Sequence, residues 1–516
     1  MTTNINPVIP GFYPDPSVCR VGEDYYLVNS SFEYFPGVPV FHSRDLVRWE
    51  QIGNVLDRPS QFNVGLGRER ASAGIYAPTI RHHDGEFWMT TTNREDVMKG
   101  HLIVRASDPA GEWSEPVHTT GAIGIDPDLS WDEAGTCYLT WAFPGAISQA
   151  VVDPRTGKLL SEPRVIWNGT GMAHPEGPHV FRRGAYWYLL VAEGGTGPGH
   201  GICVARSDSP SGPWESNPAN PVLSHRSTSH PVQNTGHGDL VELPDGSWAM
   251  VHLGVRPGGS FPPAHVNGRE TFLTGVDWVD GWPVIVEDRY DVPQAPTAFT
   301  DDFEASQGSD ASDASDAGRL HPRWIAPGTD PRSFAVPVPG EGLRLSAGRA
   351  AGARDAERLL AVRARDSSWT ATATVPQGDV ALVVRIDDAH WAAVQRQGTT
   401  VTARAVVGPF DQVLATAEGV PADAPLAVRS VANTERYSFA KGPDDLHLGH
   451  LVDGEFRTLG TIDGRYLTTE VAGGFTGRVI GVEALGTDAL PTRFTYTPDP
   501  DPVPASAMPV SPPADS

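Results

Sequence analysis

Cysteine is scarce: the 516 residues contain only Cys19, Cys137 and Cys203. An odd count at wide spacing supports neither a disulfide framework nor a zinc pattern. Cys19 and Cys137 lie in strand-like runs, where a free thiol packs as a small apolar group. Long apolar runs are missing, so no segment reads as a membrane span. The N-terminus, MTTNINPVIPGFYPD, has no basic stretch leading into an apolar one. No signal peptide is read from it, and a reducing cytoplasm is the expected location. Positive charge is also in short supply: 39 Lys and Arg stand against 63 Asp and Glu, a net charge of −24. Like charges repel, which disfavours nucleic acid and anionic membranes as partners and leaves a neutral ligand such as a sugar compatible. No segment carries a strong helical pattern.

Glycine (55) and proline (47) are plentiful, which suits many short strands joined by turns. The length predicts two domains. Along the first part of the chain one segment shape recurs five times, opening at Asp15, Ala77, Asp126, Glu176 and His237. Each runs from a polar or small residue through a short apolar stretch and a turn to an aromatic pair or trio. The openings are 62, 49, 50 and 61 residues apart. Repeats of this size built from short strands predict a β-propeller, here with five blades. A weaker echo, SRDLVRW, SDPAGEW and SDSPSGPW, places Trp49, Trp113 and Trp214 after Ser/Asp turns, as packing residues of outer hairpins. The propeller is expected over residues 1–295. A linker with a mobile Ser/Asp-rich loop, ASQGSDASDASDAG, is expected over 296–320. Two-residue alternation, as in DVALVVRIDDAHWAAVQRQ, predicts a β-sandwich over 321–495. The Pro-rich end, 496–516, reads as a disordered tail.

If the five segments are equivalent blades, Asp15, Asp126 and Glu176 converge around one axis. Three acids held together would repel at a cost unless chemistry used them. Cleaving a glycosidic bond needs one carboxyl kept protonated as acid and one ionised as base, and a third can raise the acid's pKa and orient it. Asp15 and Asp126 are short and precede Pro; Glu176 has more reach towards a leaving group. Asp15 is therefore assigned as base, Glu176 as acid and Asp126 as modulator. Asp84, Asp132, Glu133 and Asp245 fall at hairpin tips and read as turn formers. His237 is a candidate for a substrate contact, with a backbone-bonded structural histidine as the competing reading.

These motifs resemble glycoside hydrolase family 43, the inverting β-xylosidases and α-L-arabinofuranosidases. They are NPVIPGFYPDPS, GIYAPTIRHHDGEFW, GIDPDLSWDEAG, HPEGPHVFRRGAYWYLLVAEGGTGPGH, GHGDL and NGRETFL. The resemblance implies an all-β fold, a five-bladed propeller followed by a jelly-roll, concanavalin-like sandwich, with the same three acid roles. It also implies that Arg269 grips sugar hydroxyls, that Phe32 and Tyr76 line the pocket with Thr196 beside them, and that Phe475 of the sandwich reaches the rim. A salt bridge from Arg269 to Glu270 and a core position for Phe475 are the competing structural readings. Where this chain has Tyr76, many relatives have Trp. The expected activity is exo-acting release of terminal β-D-xylose from oligosaccharides, with α-L-arabinofuranosidase as alternative and a non-catalytic sugar-binding propeller as a different-class rival. An inverting enzyme should hold Asp15 and Glu176 about 6.5–9.5 Å apart. No cofactor is required; a structural calcium ion near His237 has no ligand cluster in the sequence to support it. Homo-oligomerisation is compatible with the chain.

Overall fold

The computed structural model describes residues 5–62, 71–259, 261–303, 320–347, 358–433 and 440–499. The Ser/Asp-rich loop and the Pro-rich tail expected from the sequence lie almost wholly outside them.

Five antiparallel sheets make the propeller, each beginning with its innermost strand. Blade 1 comprises Ser17–Val21, Asp24–Val28, Gly37–Ser43 and Glu50–Leu56. Blade 2 comprises Thr79–His83, Glu86–Thr91, Leu102–Ala106 and Val117–His118. Blade 3 runs from Ile125–Trp131 through Cys137–Phe143 and Ala146–Asp153, whose outer edge pairs with Lys158–Leu159 and Arg164–Trp167. Blade 4 is Glu176–Arg183, Tyr186–Glu193, Gly201–Ser207 and Glu215–Ser216; blade 5 is Gln233–Glu242, Trp248–Val255, Glu270–Val279 and Trp282–Val286. Apolar faces of adjacent blades pack on each other, as where Trp88 and Ile103 of blade 2 meet Leu129, Leu139 and Trp141 of blade 3. The N-terminal arm closes the ring: Val8 and Ile9 donate their backbone N–H groups to Thr271 of blade 5. The outer-hairpin tryptophans pack as expected. Trp113 is buried, and its indole N–H donates to the Pro109 carbonyl at 3.2 Å.

The second unit is a sandwich of two six-stranded sheets. Trp324, Phe334, Trp369, Phe494 and Tyr496 lie in the core between them. It begins earlier than its sequence pattern indicated. Phe299–Asp301, inside the expected linker, pairs with Arg493–Pro498, which itself runs past the expected boundary at 495. Phe299 stacks on Tyr496 and Phe303 is buried against Trp324, so the two phenylalanines of TAFTDDF join the sandwich core. Three residues of strand are too short to show alternation. The two units share a buried seam in which Phe12 and Tyr34 of the propeller pack against Ile325, Ala361 and Val479.

Candidate active site

The innermost strands of blades 3, 4 and 5 begin with a bulge. In blade 3 the pairing jumps between Ile125↔Ala142 and Asp128↔Thr140; in blade 4 it jumps between Glu176↔Ala192 and His179↔Leu190. The residue two before the first regular pair has a left-handed backbone in four blades: φ is 54° at Asp15, 54° at Asp126, 57° at Gly177 and 42° at His237. Side chains seldom tolerate this conformation, and such strain concentrates at functional sites. The equivalence drawn from sequence therefore needs a correction of one residue. Asp15, Asp126 and His237 do share one position, but in blade 4 that position is Gly177. Glu176 stands one residue earlier, level with Ile125. Gly177 is also required for space, since a Cβ there would lie 2.9 Å from the His237 ring.

Two residues further in, the axis is filled. Arg81 of blade 2 donates to Asp128 Oδ1 and to Asp239 Oδ2, each at 2.7 Å, and its guanidinium lies 3.0 Å from His179 Nδ1. Ser17 donates to Asp239 at 2.7 Å. Four other blades thus converge on one guanidinium. The axial carboxylates, the hard oxygen donors that calcium favours, are committed to Arg81.

Above this plug the acids meet. Asp15 is buried; Ser30 Oγ donates to its Oδ2 at 2.5 Å and Arg269 Nη1 to its Oδ1 at 3.0 Å. His237 Nδ1 lies 3.5 Å from the same Oδ1. Burial opposes ionisation of Asp15, but Arg269, His237 and Ser30 outweigh it and hold its carboxyl below the usual range. Glu176 has the opposite fate: burial first, then the charge of Asp15, push it up to about 7. Asp126 is pushed well above its ordinary value by burial, then by Glu176 and Asp15. The three carboxyls therefore share one electrostatic neighbourhood, in which Asp15 ionises first and the other two titrate higher. Asp126 acts on Glu176 through the backbone as well, accepting the Gly177 N–H at 3.1 Å.

Arg269 also donates to Thr196 Oγ1 at 3.0 Å. The competing salt bridge to Glu270 does not form: Glu270 turns away and accepts from Arg256 at 2.7 and 2.9 Å. Arg269 Nε is buried without a partner. Beside it stands an aromatic wall. Phe32 and Phe475 stack with centroids 5.9 Å apart, and Tyr76 meets their edges at 5.9 and 6.1 Å. The guanidinium of Arg269 lies 5.8 Å from the Phe32 ring and 5.5 Å from Phe475. Phe475 thus leaves the sandwich core and joins the propeller mouth. Its N–H donates to Ser72 Oγ at 2.8 Å, and Ser72 N–H donates to Glu33 at 2.9 Å.

Sequence reasoning missed Ser30, Ser72, Glu33 and His200. His200 is fully buried, with Nδ1 3.0 Å from the Asn234 carbonyl and Nε2 4.0 Å from Glu176 Oε1. Gly236 makes room for it, because a Cβ there would fall 2.1 Å from the ring. Burial holds both His200 and His237 down to about 4, so both are neutral at pH 7.

Residues 5–283 match the family described as Glycosyl hydrolases family 43. The chain belongs to that family. Residues 312–496 match the beta xylosidase C-terminal concanavalin A-like domain. A non-reducing end alpha-L-arabinofuranosidase of Bacteroides ovatus, BoGH43B, is 37% identical over 505 residues, covering 93% of this chain and 91% of its own. A xylosidase/arabinosidase of Butyrivibrio fibrisolvens is 46% identical over 296 residues, 54% of this chain and 56% of that one. Among solved structures, that of GH43B from the Bacteroides ovatus xyloglucan PUL superposes with a TM-score of 0.83 at 34% identity, covering 96% of this chain and 99% of the other. The protein is a family 43 glycosidase with a five-bladed propeller and a C-terminal sandwich.

Proposed function

We propose that this glycosidase is exo-acting and inverting, and releases terminal β-D-xylose from xylo-oligosaccharides. The observation that carries the reading is the split between two nearby carboxyls: Asp15 held ionised and Glu176 raised to about 7. At neutral pH Asp15 takes a proton from a water attacking the anomeric carbon. Glu176 donates its proton to the departing glycosidic oxygen, and the configuration inverts. Arg269, held in place by Asp15 and Thr196 through Nη1, has its remaining guanidinium donors for a sugar hydroxyl. The Phe32–Tyr76–Phe475 wall suits the apolar face of a pyranose or furanose. Acid and base both come from the chain, so the reading needs no cofactor. The three thiols are buried and unpaired, which fits the cytoplasmic location proposed with it.

A second reading, α-L-arabinofuranosidase, is favoured by one finding: the Bacteroides ovatus relative that spans both units carries that name. Nitrophenyl β-D-xyloside and α-L-arabinofuranoside, assayed side by side, separate the two. Proton NMR of the first sugar released from xylobiose should show the α-anomer. Initial appearance of the β-anomer would overturn inversion.

A further inference from the structure

A second group of convergent side chains lies outside the acid cluster. His225 and His230 sit on the segment between blades 4 and 5, and Glu287 directly follows the last strand of blade 5. Their ligand atoms all fall within 4.8 Å of one another. Nδ1 of His225 lies 2.8 Å from the Val232 carbonyl and Nδ1 of His230 lies 3.0 Å from the same oxygen. A carbonyl only accepts, so His225 carries a proton on Nδ1. His230 Nδ1 also lies 3.1 Å from the Val232 N–H, so it donates to the carbonyl or accepts from the N–H according to its tautomer, and presents Nε2 as a lone pair in the first case. Nε2 of His225 faces Glu287 Oε2 at 2.7 Å. Either a second ring proton or a metal cation sits between these two atoms, and a metal bound here takes the place of that proton. Nε2 of His230 is buried with no hydrogen-bond partner. The two rings are 3.8 Å apart between centroids, too close for two imidazolium charges to be favourable. The adjoining cavity measures about 10 Å³, room for one ion or water and no organic ligand. Thr274 lines it; this residue is 3% exposed and its hydroxyl has no partner.

We propose that His225 Nε2, His230 Nε2 and the Glu287 carboxylate bind one divalent transition cation of the zinc type. Two imidazoles and one carboxylate suit such an ion, whereas calcium and magnesium favour six or more oxygen ligands. The Val232 carbonyl supplies the outer contact that metal-bound imidazoles commonly make through their second nitrogen. Water completes the coordination, with Thr274 in the same cavity to bond it. The ion clamps the segment before blade 5 to the chain as it leaves the propeller, so its effect is on stability.

The test uses the full chain, stripped with a chelator and titrated with Zn²⁺ by calorimetry, with the melting temperature followed in parallel. A single equivalent should bind and raise the melting temperature, and millimolar Ca²⁺ should not displace it. His230→Ala and Glu287→Gln should each weaken binding at least roughly tenfold. Both variants should leave hydrolysis by the metal-free enzyme unchanged. Absence of stoichiometric Zn²⁺ binding overturns the proposal. So does equal binding by the parent and both variants, which would put the ion elsewhere, for instance on His200 and His237. If His230→Ala fails to fold, the near-isosteric Glu287→Gln decides alone.

Discussion

The backbone N–H of Gly177 donates to Asp126 Oδ2 at 3.1 Å, so a carboxyl of blade 3 holds the peptide that immediately follows the Glu176 side chain. Two blades are locked together at the residue proposed to deliver the proton. Asp126 therefore has two separable influences, its ionisable carboxyl and its acceptor oxygen. Asp126→Asn keeps an oxygen for Gly177 and removes the titrating group; Asp126→Ala removes both. The Asn variant should lose about tenfold in kcat and the Ala variant about a hundredfold or more. Equal losses would mean that the hydrogen bond plays no part.

Activity should depend on pH through the opposed pair. The profile of kcat/KM should fall above about pH 7 as Glu176 loses its proton. On the acid side it should fall only below the usual carboxylate range, where Asp15 protonates. Glu176→Gln should remove the alkaline limb and cost about 10²–10⁴ on xylobiose, with a smaller loss on nitrophenyl glycosides, whose leaving group needs little protonation. A parent-like rate on xylobiose in that variant would sink the acid assignment.

The same substitution should stabilise the fold. The Glu176 carboxyl ionises near pH 4.3 when unfolded and about pH 7 when folded. Between these values the folded state binds more protons, so stability is full below the window and falls as pH rises through it. Removing the charge should raise the melting temperature at pH 8, by on the order of 2 kcal/mol of stability, and change little at pH 4. Thermal melts at the two pH values check this.

Phe475→Ala should raise KM roughly tenfold while changing kcat less, because the ring faces Arg269 and Phe32 and not the acids. Ser72→Ala should reproduce part of the effect, since Ser72 Oγ holds the Phe475 backbone. Steady-state kinetics on the preferred nitrophenyl glycoside measure both.

Arg81→Met should destabilise the propeller by about 3–5 kcal/mol, because Asp128 and Asp239 would be left buried without their cation. Denaturant unfolding gives the difference. The Val18 N–H also donates to Asp239 at 3.1 Å and the Val180 N–H to Asp128 at 2.9 Å, and a loss under about 1 kcal/mol would show that these backbone donors suffice for the carboxylates.

The repeat, the all-β class and the convergence of residues 15, 126 and 176 were legible because strand alternation and turn chemistry are local. The one-residue offset at Glu176 was not. It depends on which residue of the blade takes the left-handed bulge, and Gly177 conceals that choice by accepting any backbone conformation. Arg81 was invisible for another reason: one Arg in TIRHH carries no sign that it will meet Asp128 and Asp239 across the ring.

What the sequence determined alone is the number of blades, the residue types at their mouths and the presence of a second β unit. Each follows from periodicity and from side chains neighbouring along the chain. Only the tertiary structure decided that Glu270 serves Arg256 and frees Arg269 for Asp15, that Phe475 crosses from one unit to the other, and that His225, His230 and Glu287 share a cavity. These depend on contacts across tens to hundreds of residues, where burial and charge pairing in three dimensions, and not local propensity, select the partner.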